Sequence, residues 1–212
     1  KLPDHIKDKQ VSAIDTEKAL LAPERIRQIV GYVLERFDQK TKRTSGYRLS
    51  VISNVGEVAS GKNRVEAVKM NTSAHGFNAL FATASIEAAK RYYLEFKEQQ
   101  ATLGSDRRLK VGIIYSYAPN EEVTGHYLDE EGFETDALDQ PSRDFLEEAI
   151  RDYNALFGTS YDTSAEKFQN YYKDLSLRLK NREVDLVIVV NMFLTGFDAT
   201  TLNTLFVDKN LR

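Results

Sequence analysis

Five apolar residues in a row, Leu186-Val-Ile-Val-Val190, constrain this chain more than any other stretch. A strand that alternates apolar and polar residues can leave one face in water. A strand with no polar position must be covered on both faces, which is the condition of a parallel sheet lined by helices. Phe77–Thr83, Lys110–Tyr115 and Leu205–Val207 read as further strands, and helical patterns separate most of them. Strands alternating with helices need crossover connections. The expected fold class is therefore α/β, a three-layer domain whose mostly parallel sheet is flanked by helices.

The helices follow from spacing. Pro23 suits a first helical turn, and Ile26, Ile29, Val30, Val33, Leu34 and Phe37 recur on one face, giving a helix over 23–38. Ser85 is a good N-cap for a helix that buries Ile86, Ala89, Tyr93 and Phe96. A helix over about 142–157 turns Leu146, Ala149, Ile150, Tyr153 and Phe157 inward. Another opens with a capping box, Thr163 to Glu166, and buries Phe168, Tyr171, Tyr172, Leu175 and Leu179. Residues 1–22 are polar and mixed, an arm or linker. The expected domain is 23–212, with 46–76 as an insertion: 47–52 has strand character, and 53–76 is rich in Gly, Asn and Ser.

An apolar fraction of 42% over 212 residues is enough for one large core. The net charge of −3 gives no overall field that attracts nucleic acid, so any DNA contact must be local. Lys40, Lys42, Arg43, Arg48, Lys62 and Arg64 are the candidates for a basic patch; the plain alternative is a solvated surface. The absence of cysteine excludes disulfides and thiol chemistry. His5, His75 and His126 have no metal-ligand spacing, so no metal site is expected. Residues 120–140 carry eight Asp or Glu and no Lys or Arg, which reads as a solvated loop or a docking surface. With no signal peptide and no apolar run of membrane-spanning length, a cytoplasmic location is expected.

Three segments bear on function. Gly56-Glu-Val-Ala-Ser-Gly-Lys62 matches the G-x-x-x-x-G-K of a P-loop, but Asn63 stands where a Mg²⁺-holding Ser or Thr belongs. A self-contained P-loop nucleotidase using Lys62 is thus one alternative, and a non-catalytic α/β interaction module is another. Phe81-Ala-Thr-Ala-Ser-Ile-Glu-Ala-Ala-Lys90 forms strand, turn and helix start, where Thr83, Ser85 and free amides make a phosphate site; capping alone also explains Ser85. Leu194-Thr-Gly-Phe-Asp198 lies at the carboxyl end of a buried strand, where open α/β sheets bind ligands.

The last two segments resemble motifs IV and V of superfamily-two helicases. Met192-Phe-Leu-Thr-Gly-Phe-Asp-Ala199, followed by Val207-Asp-Lys-Asn-Leu-Arg212, resembles the motor (R) subunit of type I restriction enzymes. The resemblance implies the second of two RecA-like lobes that sandwich ATP and Mg²⁺ and ride on double-stranded DNA, with the modification and specificity subunits as partners. It implies DNA-backbone contacts from Thr83, Ser85, Thr195 and Gly196, and a role in the ATP cleft for Gly196 and Asp198. The P-loop would belong to the preceding lobe and motif VI would follow Arg212. The chain alone is then expected not to hydrolyse ATP, and no catalytic residue is assigned to it.

Overall fold

The computed structural model describes residues 18–61, 65–115, 138–190 and 197–209. Its centre is a four-stranded parallel sheet in the order β4-β5-β3-β6, built from β3 (Asn78–Thr83), β4 (Val111–Tyr115), β5 (Leu186–Val190) and β6 (Leu202–Asp208). All five residues of β5 and all six of β3 are buried. An apolar run with no polar alternation therefore sits, as expected, in the middle of the sheet.

Helices α1 (Pro23–Lys40), α3 (Ile86–Gln100), α4 (Gln140–Phe157) and α5 (Ala165–Lys180) complete the layers of this RecA-like α/β domain. In α1 the residues Ile26, Val30, Val33 and Phe37 are buried, and Ile29 and Leu34 half-buried. Helix α4 begins two residues before the expected start because the Asp139 side chain caps it, accepting from the Ser142 amide at 3.1 Å, with Pro141 inside the first turn. It ends at Gly158, whose φ of +67° closes the helix onto Asn154 O. Helix α5 opens one residue later than the capping box placed it, with Ser164 at the N-cap. Phe81 joins the sheet to α3 through edge-on contacts with Tyr92 and Phe96, and the Tyr171 hydroxyl donates to Ile113 O at 2.7 Å.

The hard-to-read stretch 46–76 is an antiparallel pair, β1 (Gly46–Ile52) and β2 (Lys69–His75), enclosing the short helix α2 (Val55–Ser60). It is a separate two-stranded sheet. Two devices fasten it to the domain. Asn181, just past α5, accepts from Ile52 N at 2.9 Å and donates to Ile52 O at 2.8 Å, as a neighbouring strand would. Tyr47 stacks on Phe77 and donates to Gly76 O. The N-terminal end is also packed: Lys18–Leu20 are helical and Leu21 lies against the core, while residues 1–17 fall outside the described residues.

Candidate functional site

The carboxyl edge of the parallel sheet is framed by the ends of β3 and β6 and by the first turn of α3. Ser85 caps α3 as expected, its Oγ accepting from the Ala88 amide at 3.2 Å. Helix geometry leaves the Ile86 and Glu87 amides without intrahelical partners there. A hydroxyl can accept and donate at once, so the Ser85 O–H stays available while the cap bond holds. Thr83 has a different role from the expected DNA contact. It is fully buried, and its hydroxyl lies 3.4 Å from Val189 O and 3.3 Å from Ser85 O, so it closes the turn from inside.

Thr195 and Gly196 lie outside the described residues, but Asp198 is described and exposed. Its described neighbours place it. The Phe197 ring centroid is 5.3 Å from Lys180 Nζ at the end of α5. Ala199–Leu202 form a turn, Thr201 Oγ1 donates to Leu179 O, and Asn78 N donates to Thr201 O at the start of β3. Asp198 therefore sits toward the amino edge of the sheet. A strand rises about 3.3 Å per residue, so the length of β3 puts roughly 15–20 Å between Asp198 and the Ser85 turn. Asp198 and the Ser85 turn therefore lie at opposite edges.

The P-loop alternative finds no support in the geometry. Gly56–Ser60, which should form an open phosphate cradle, is helical within α2, and the strand before it belongs to the antiparallel pair. A Cβ at Gly56 would meet nothing within 4 Å, so no close approach requires that glycine. Lys62 and Arg64 lie outside the described residues, as does the acidic stretch through residue 137. The expected basic patch is broken up: Arg43 turns inward to Asp185 Oδ1 at 3.5 Å, while Lys42 and Arg48 remain exposed.

Sequence reasoning missed a polar cluster beside the Ser85 turn. Thr83 pairs with Asp208 across β3 and β6. Arg25 of α1 grips Asp208 with both terminal nitrogens, Nη1 to Oδ2 at 2.9 Å and Nη2 to Oδ1, and the Tyr92 hydroxyl donates to Oδ2 at 2.6 Å. Burial alone would raise the Asp208 carboxyl, but the bonds from Arg25 and Tyr92 and the Arg25 charge outweigh it and hold the group below its usual range. Burial, reinforced by the bonded carboxylate, pushes the Tyr92 hydroxyl up. Arg25 and Asp208 are 183 residues apart, so no local spacing rule could pair them.

A family model described as Type I restriction enzyme subunit R domain 3 matches residues 75–212. The chain is 32% identical over 203 residues to a type I restriction enzyme endonuclease subunit of Staphylococcus aureus (strain MRSA252), covering 95% of this chain and 17% of that protein. It is 33% identical over 207 residues to another such subunit from Staphylococcus saprophyticus, covering 97% of this chain and 18% of that protein. The chain thus spans less than a fifth of the length of these curated relatives. With two thirds of its length matched by the family model and nearly all of it by these relatives, the chain belongs to the family of type I restriction enzyme subunit R domains.

Proposed function

We propose that this chain is the second motor lobe of the ATP-dependent, DNA-translocating subunit of a type I restriction enzyme, working in the cytoplasm with modification and specificity subunits. One observation carries the reading: the parallel sheet offers two separate edges, one with a capped helix start at Ser85 and one with the exposed carboxylate of Asp198. A motor lobe must hold its track and its fuel on different surfaces. At the carboxyl edge, the Ser85 hydroxyl and the first amides of α3 would take DNA phosphates. Phosphate contacts hold position without reading sequence, which suits translocation. Toward the amino edge, Asp198 with Gly196 would complete an ATP cleft, accepting from a ribose hydroxyl or from an arginine.

In this reading the P-loop and the Mg²⁺ site lie in a first lobe, and this chain adds an edge contact to the nucleotide. ATP supplies the phosphoryl-transfer chemistry when bound there.

Ser85→Asp tests the DNA contact. Asp caps a helix as well as Ser does, so the fold is kept, but a carboxylate now faces the phosphate. The expected result in the intact restriction complex is an unchanged melting temperature with duplex binding weakened at least about tenfold, equivalent to 1.4 kcal/mol. Unchanged duplex binding by the folded variant would remove the proposed contact.

A further inference from the structure

Two arginines next to the Ser85 turn bind more than their carboxylates. Arg25 Nη1, besides holding Asp208, donates to Leu20 O at 3.2 Å. Arg91 of α3 donates through Nε to Glu87 at 2.8 Å, in the first turn of its own helix, and through Nη1 to Leu21 O at 2.7 Å. Two guanidinium groups from different helices thus take two consecutive backbone carbonyls. Those carbonyls are open to capture because the chain breaks direction there. Lys18–Leu20 form a helical turn, Ala22 is extended with ψ of 125°, and α1 starts afresh at Pro23. The carbonyls at the end of the first turn are left without helical amides.

Each arginine therefore bridges the entering segment to one of the two structures that frame the carboxyl edge. Arg25 reaches the end of β6, and Arg91 reaches the first turn of α3. The arrangement uses the planar, multi-donor fork of arginine, which a lysine cannot reproduce. A simple surface ion pair would need neither carbonyl.

We propose that Arg25 and Arg91 are positioning residues that lock segment 18–22 to the end of β6 and to the first turn of α3, so that the phosphate-facing edge takes its position from the chain entering the domain. The proposal rests on the reading of that edge as the DNA contact. In it, Asp208 and Glu87 touch no DNA; they anchor the edge to the two arginines. A displacement of the entering segment moves the Ser85 turn with it, which couples the grip on the duplex to whatever precedes α1.

The test uses the intact restriction complex and titrates duplex DNA while following DNA-stimulated ATP turnover and melting temperature. The variants are Arg91→Gln and Asp208→Asn, with Ser85→Asp as a control. For Arg91→Gln and Asp208→Asn the DNA concentration at half-saturation should rise by between about twofold and thirtyfold, the range in which residues touching neither ligand alter coupling. Turnover at saturating DNA should stay at the parent value. A lower melting temperature with unchanged half-saturation would assign the arginines to stability alone and overturn the proposal. If Ser85→Asp shifts half-saturation and the arginine and Asp208 variants do not, the positioning role fails and the DNA contact stands. If Ser85→Asp also has no effect, both fail together.

Discussion

Asp208 shows how one side chain can be conspicuous in the sequence and still hide its partners. It stands in the stretch Val207–Arg212 that carries the family resemblance, but its ligands Arg25 and Tyr92 lie 183 and 116 residues away. Because its folded carboxyl is held below the usual range, the stabilisation it gives is complete above about pH 4 and is lost as pH falls through the folded value. Asp208→Asn should therefore lower stability at pH 7 by roughly 1–3 kcal/mol, the worth of bonds to a charged group. Urea melts of variant and parent should converge as pH falls below 4; a constant difference across that range would contradict this origin. Gly76 is a second residue whose role is legible only in the structure. Its φ is +63°, and a Cβ there would lie 2.7 Å from Arg43 Cα, a backbone atom that cannot step aside. Gly76→Ala should cost at least about 2 kcal/mol from left-handed strain plus the clash, measured by the same melts.

The elements that periodicity reveals are those whose burial follows a single face. Helix α1 is an example, with Ile26, Val30, Val33 and Phe37 recovered directly from spacing. In α5 the same rule found Phe168, Tyr171, Leu175 and Leu179 but could not place Asp174, which is fully buried. That carboxylate is matched by Arg178 one turn on, with Nε at 2.6 Å, and by the hydroxyls of Tyr153 on α4 and Tyr161 on the connecting loop. Burial, then the neighbouring carboxylate, raises both tyrosines, so they remain donors throughout the working pH range. Asp174→Ala leaves Arg178 with Glu183 but takes the acceptor from the buried Tyr153 and Tyr161 hydroxyls, and should destabilise the domain by at least about 2 kcal/mol in denaturant titrations. The β1–β2 pair was the least legible element because a side chain 129 residues away fastens it. Asn181→Ala should speed amide exchange at Ile52 while leaving β5 amides protected; equal protection in both proteins would show that Asn181 is not the anchor.

At the scale of the whole molecule, the parallel sheet was legible because Leu186–Val190 admits few other environments, and the family was legible from the residues that follow it. The layout of the site was not. Asp198 comes eight residues after the end of β5, but it lies toward the amino edge, a placement that no motif spacing encodes. Thr83 and Ser85 are two residues apart, but strand geometry turns one hydroxyl into the core and leaves the other at the edge. The central claim is that the two edges have separate tasks, one holding DNA and the other completing an ATP cleft. It is tested most directly by DNA-stimulated ATP turnover in the intact restriction complex, measured against duplex concentration for Asp198→Ala and Ser85→Asp side by side. The account predicts that Asp198→Ala lowers turnover at saturating DNA by about a hundredfold or more, the scale of losing a group that organises phosphoryl transfer, without moving half-saturation. Ser85→Asp should move half-saturation and spare the maximum. Both variants shifting the same parameter, or neither shifting any, would contradict the account.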